Sequence, residues 1–336
     1  MILTPKVRKT LDIATRLVIA TLSISYIFYR IYALPAGQVQ VFVSSVLAGK
    51  EFVYIFLCLI ILMVVNVGFE SYKWKLLIQQ SEKVSLLTAY KAILGGMAVS
   101  VYTPNRVGEF MGRVFILKKT DPVTAILLTI VGSFSQLLVT VVAGSIAYIV
   151  FAPLYLPLVI FESTWLVKGM SVTLAVVSLL YVFLYFNISA LHRISFVVPA
   201  AYMQKIKNGI DAIAACPKRL LFIAVFLSTM RYLVFSTQFY LAIRLMGLQI
   251  TVSQCMMAIP IIYLLLVIIP TVALTEIGVR GSISVFLFGL LASGHELNTA
   301  DALAVLSAST LIWFINVAFP SLLGVLVVFR LKFFRR

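Results

Sequence analysis

The chain has 336 residues, 62% of them hydrophobic and only 11% charged, with a mean hydropathy of +1.10. Ordinary soluble domains carry about 25% charged residues, so the composition excludes a water-soluble globule and defines a polytopic membrane protein. The 27 Lys and Arg outnumber the 11 Asp and Glu to give a net charge of +16, a surplus that in a membrane chain collects in cytoplasmic loops.

The first apolar run, Leu17 to Tyr29, follows Lys6, Arg8, Lys9 and Arg16. It continues through Ile31 and Tyr32 without a good small-residue cleavage site, so it is expected to stay as a helix rather than leave as a signal peptide. Full spans are predicted at 11–33, 52–69, 122–152, 167–187, 219–246 and 300–329. Segments 86–117 and 253–292 are apolar but break at Pro104 and Pro270, and are read as broken or re-entrant hairpins. Their limbs of 15 to 17 residues would measure roughly 22–26 Å, nearly the depth of the hydrocarbon core. No run alternates as a barrel strand does. The expected fold is all-α, a single integral membrane domain of six full spans and two hairpins. In the connector 195–216, Tyr202, Ile206, Ile210 and Ile213 share one helix face, with Lys205, Asn208 and Asp211 off it. That pattern suits a helix lying on the cytoplasmic leaflet or one packed against the bundle.

With the N-terminus inside, 19 of the 27 Lys and Arg fall on the cytoplasmic side and four, Arg30, Lys50, Lys168 and Arg244, fall outside. The asymmetry predicts cytoplasmic N- and C-termini in a cytoplasmic membrane. The order span, span, hairpin, span then occurs twice, over 11–155 and 165–330. Each half crosses three times, which turns the second upside down and gives the inverted-repeat architecture of many transporters. The last span of each half carries one amide midway, Gln136 and Asn316.

The remaining basic residues, Arg106, Arg113, Arg231 and Arg280, lie inside apolar segments, where an unpaired charge costs several kcal/mol, on the order of 3 or more. Both breaks are followed by the same pair, Glu109 with Arg113 and Glu276 with Arg280, at the i,i+4 spacing that favours contact. Thr103-Pro104-Asn105 reads as a helix start with Thr103 as cap; at the second break Thr271 or Thr275 takes that place. A helix N-terminus with guanidinium groups nearby suits a phosphate or carboxylate. Asn105, Arg106, Arg113, Arg231 and Arg280 are the candidate anion ligands, with Glu109 and Glu276 as counter-ions that release an arginine or carry a proton, and Gln136 and Asn316 as polar lining. The bland reading is that each pair only neutralises itself at a bend. Arg231 is too deep to snorkel and is expected to meet Glu276 or Glu109, or to be wetted beside Gln238. Gly108 and Gly112 suit close helix packing. Cys58, Cys216 and Cys255 are scattered, and His192 and His295 have no partner at ligand spacing, so no metal or cofactor is expected.

The run Gly95-Gly96-Met97 through Thr103-Pro104-Asn105-Arg106-Val107-Gly108-Glu109 to Arg113, and Pro270 through Glu276-Ile277-Gly278-Val279-Arg280-Gly281, resemble the membrane region of lysylphosphatidylglycerol synthetases and their stand-alone, flippase-like relatives. The resemblance covers about residues 10–330. It implies movement of a lipid with a charged head group between leaflets, and some relatives are glycosyltransferase-like. No synthetase domain follows the last span, so aminoacyl transfer is not expected. The family's second motif usually has an acidic residue directly after the arginine, where this chain has Gly281, which leaves the role of Glu276 open.

No ATP-binding loop, His-Glu-x-x-His or Gly-x-Ser-x-Gly signature occurs, and Asp12, Asp121, Asp211 and Asp301 are isolated at segment ends. The expected partners are membrane lipids, an anionic phospholipid or a polyprenyl phosphate, with no nucleic acid. The expected function is flipping of such a lipid. A metal-free transferase acting on a polyprenyl-phosphate substrate through Glu109 or Glu276 is the alternative, and a second copy or a membrane enzyme is a further candidate partner.

Overall fold

The described residues of the computed structural model are 36–47, 50–101, 103, 107–155, 164–189, 200–269, 273–293 and 297–329, with positions 14, 18, 21 and 25. Every regular element among them is a helix. In chain order they are α1 (Ala36–Leu47), α2 (Lys50–Ile78), α3 (Leu86–Ser100), α4 (Gly108–Val114), α5 (Pro122–Tyr155), α6 (Thr164–Phe186), α7 (Ala200–Ala214), α8 (Lys218–Leu245), α9 (Val252–Ile268), α10 (Ala273–Ser293), α11 (Thr299–Trp313) and α12 (Phe319–Val328), with a π-helical turn, Phe314–Ala318, joining the last two. Five stretches are long and apolar enough to cross a membrane: Glu51–Ile78, Pro122–Tyr155, Trp165–Phe186, Lys218–Leu245 and Thr299–Val328. They match five of the six predicted spans; the first, 11–33, is described only at positions 14, 18, 21 and 25, and the histidines 192 and 295 lie outside the described residues. The short helix α1, packed on α11, was not anticipated.

Both hairpins form, but unequally. In the first, Ser85 caps α3 by accepting from Thr88 N–H at 3.1 Å. The returning helix α4 has seven residues, roughly 10 Å of rise, so the expected 15-to-17-residue return limb is corrected to a much shorter helix followed by an irregular segment. Gly112 explains how closely the limbs meet, since a Cβ there would fall 2.6 Å from the Gly96 Cα. The second hairpin pairs α9, opened by a Thr251–Gln254 capping box, with the 21-residue α10. The π turn follows from Pro320, which has no N–H for the carbonyl four residues back and crowds it.

After α4 the chain runs irregularly to α5 because Glu82, in the α2–α3 connection, gathers its backbone. Glu82 accepts from the N–H groups of Lys118, Lys119 and Thr120 at 2.8–3.2 Å, and from the Thr120 hydroxyl at 3.2 Å. Partial burial pushes the Glu82 carboxyl up, but these donors outweigh it and hold the group below the usual carboxylate range. A depressed folded value means stability that is present above the unfolded value and lost as pH falls through the folded one. Thermal unfolding followed from pH 6 to pH 3 should therefore show an acid-side loss in the native protein that is reduced in Glu82→Gln, which starts lower at pH 6; superimposable profiles would refute the clamp.

The connector helix α7 packs on α5, where a Cβ at Gly209 would meet Leu127 and Thr124. Its Asn208 and Asp211 are exposed and Ile213 is buried, as the face pattern predicted. Cys216 and Cys255 are buried packing residues, and Cys58 is exposed on α2.

Candidate functional site

Four helices bring polar groups to one buried centre. On α2, Asn66, Glu70 and Lys73 recur at the i,i+4,i+7 spacing that lines up one face. Helix α4 supplies Glu109 and Arg113, α8 supplies Ser228 and Arg231, and α5 supplies Gly132, Ser135 and Gln136. The helix α2 packs on α8, α3 and α5, which closes the centre.

Glu70 is its hub. One carboxylate oxygen accepts from Arg113 at 2.8 Å; the other accepts from Lys73 at 2.9 Å and from Arg231. Arg113 also pairs with Glu109 one turn back. Arg231 is held further by Asn66 Oδ1 at 3.1 Å and Gln136 Oε1 at 3.2 Å, and its guanidinium lies 5.7 Å from the centre of the Phe235 ring. The Lys73 ammonium donates to Glu70, to the Gly132 carbonyl at 3.0 Å and to the Ser228 hydroxyl at 3.1 Å. An ammonium has three donors, so Lys73 is fully satisfied.

This arrangement divides the charges by role. Lys73 is 1% exposed and Glu70 4%; with every Lys73 donor used, they form a fixed pair. Arg113 and Arg231 then share what is left of Glu70 with a single further carboxylate, Glu109, which at 29% exposure is the accessible member. Three cations face two carboxylates, so the described part of the centre carries one surplus positive charge. A buried surplus of this kind is expensive unless an anion completes it. The Arg113 Nε is buried without a hydrogen-bond partner, a donor left for such an anion.

The sequence-predicted residues are distributed unevenly around this centre. Glu109, Arg113, Arg231 and Gln136 come together there. Arg231 does not pair with Glu276 or Glu109; its carboxylate is Glu70, because α8 packs on α2. Gln238, two turns further on, donates to the Leu59 carbonyl. Glu276 and Arg280 pair with each other on α10 at 2.5 Å. Asn316 sits in the π turn and donates to the Ile312 carbonyl at 3.3 Å. Thr103 Oγ1 accepts from Gly108 N–H at 2.9 Å, but the returning helix starts at Gly108 with Val107 at its N-cap position and no side-chain cap, so the expected cap at Thr103 is corrected to a contact from the preceding loop. Asn105 and Arg106, with Pro104, Pro270 and Thr271, lie outside the described residues. Glu70 and Lys73 were missed because the second span was ended at residue 69, and Asn66, inside that span, was not singled out. The available signal was the apolar run Trp74, Leu76, Leu77, Ile78 beyond them, which continues the helix and buries its charges.

A family model described as the lysylphosphatidylglycerol synthase TM region matches residues 13–335. The chain belongs to that family. No curated protein and no solved structure matches it. As a member of the lysylphosphatidylglycerol synthase TM-region family, it is an integral membrane protein linked to lipid handling.

Proposed function

We propose that this protein flips an anionic lipid, a phospholipid or a polyprenyl phosphate, by passing its head group through the polar centre while the acyl chains stay in the bilayer. The observation that carries this reading is the convergence of Arg113 and Arg231 on Glu70, with one positive charge left over among the described residues. The lipid phosphate takes the place of Glu109 on Arg113 and draws Arg231 into the same fork, a geometry guanidinium groups favour. Each charge-assisted hydrogen bond contributes about 1.5–3 kcal/mol, so two or three offset the several kcal/mol, on the order of 3 or more, of bringing a charge to this depth.

The inverted arrangement of halves 11–155 and 165–330 belongs to the same proposal. Helix packing supports it: the first hairpin leans on the last span of the second half, α3 on α12, and the second hairpin leans on the last span of the first, α9 on α5, with α2 against α8 between them. Glycines make both contacts close, Gly324 against the Leu94 carbonyl and Gly144 against Leu264. The distribution of Lys and Arg supports cytoplasmic termini in a cytoplasmic membrane, and burial of Lys73 removes only one charge from that count.

The test is leaflet exchange in phosphatidylcholine proteoliposomes carrying NBD-labelled phosphatidylglycerol or an NBD-labelled polyprenyl phosphate. Arg113→Gln should slow exchange of the anionic probe at least tenfold, and whichever probe responds identifies the lipid class. An unchanged rate in folded protein, or product formation from a glycosyl donor in detergent, would overturn the reading.

A further inference from the structure

The Glu276–Arg280 pair has no part in the Glu70 centre as described, yet it is buried and charged, at 11% and 9% exposure. Its helix α10 packs on α9 and α11, whereas Arg113 stands on α4, against α3 and α5. The two hairpin arginines are therefore held by different helix pairs. Between them lies a row of rings. Arg231 is over Phe235; Phe235 and Tyr232 each contact Tyr263 of α9, at centroid distances of 6.3 and 6.2 Å. Tyr263 stands on α9, which packs on α10, the helix that carries Glu276 and Arg280. Along this line two buried guanidinium donors have no hydrogen-bond partner, Arg113 Nε and Arg280 Nε, and the buried Tyr232 hydroxyl has only the Ser236 hydroxyl, one turn on, beside it.

We propose that the lipid phosphate occupies two stations in turn, the first between Arg113 and Arg231 and the second at Arg280, with Tyr232 and Tyr263 lining the step between them. This rests on the flipping reading above. A single deep anion site would hold its ligand; passage requires sites favourable enough to enter and weak enough to leave. Each station has its own carboxylate, Glu109 or Glu276, placed to reclaim its arginine when the phosphate moves on. Arg231 joins the stations because its guanidinium touches both Glu70 and the first ring of the row. The Tyr232 hydroxyl offers a hydrogen bond in transit, and a weakly binding aromatic stretch keeps the phosphate from resting there.

Native mass spectrometry of the full chain in detergent, saturated with phosphatidylglycerol, counts the stations, and the proteoliposome assay measures passage. The wild type should retain two lipids. Arg113→Gln/Arg231→Gln should retain one, and so should Glu276→Gln/Arg280→Gln, in which both charges go together so that no carboxylate is stranded. Tyr263→Leu should still retain two while exchange slows about tenfold. One retained lipid that either arginine variant abolishes would mean a single chamber and would overturn the two stations while leaving flipping intact. No retained lipid in the wild type, with exchange indifferent to Arg113, would instead remove the flipping reading and this inference with it.

Discussion

Glu70→Gln should destabilise the protein by about 3–5 kcal/mol, the range for removing one side of a buried ion pair. The glutamine keeps the shape but leaves Lys73, Arg113 and Arg231 facing Glu109 alone, in a centre where Glu70 and Lys73 are at most 4% exposed. The order of related variants discriminates this from loss of packing. Lys73→Met alone should cost less, because Glu70 still has two arginines. Adding Lys73→Met to Glu70→Gln should recover part of the loss, because the lysine no longer lacks a carboxylate. Thermal unfolding of the purified protein in detergent reads all three. Glu70→Gln as stable as the wild type, or a double variant worse than both singles, would refute the fixed-pair assignment.

The architecture was legible because membrane burial writes itself in long apolar runs. Predicted spans 122–152 and 300–329 became helices Pro122–Tyr155 and Thr299–Val328, and the helices on either side of each expected break pack as hairpins. The unequal length of the hairpins was not legible. What shortens α4 is a contact from Glu82, 36 residues upstream of the first amide it binds, and no local periodicity carries such information. At the site, the i,i+4 spacing announced Glu109–Arg113 and Glu276–Arg280, and both pairs form. The hub escaped notice because Glu70 and Lys73 look like the charged flank that ends a span. Only the crossing of α2 with α8 shows that they face inward. The same crossing gave Arg231 a different carboxylate from the two expected.

With Glu109 as a stand-in that the lipid phosphate replaces, variants of the site should have effects of opposite sign. Neutralising Glu109 removes the competitor for Arg113 and raises the surplus charge, so the anion should bind tighter. Neutralising Arg231 removes a ligand, and losing one or two charge-assisted bonds of about 1.5–3 kcal/mol each amounts to tenfold or more. Glu109 is also the most exposed carboxylate of the centre, so Glu109→Gln should fold normally. The decisive measurement is equilibrium binding of NBD-labelled phosphatidylglycerol to the purified protein, compared with a neutral NBD-labelled lipid. The expected result is about tenfold tighter binding in Glu109→Gln and at least tenfold weaker binding in Arg231→Gln, for the anionic probe alone. Weaker binding in Glu109→Gln, or equal changes for the neutral probe, would contradict it.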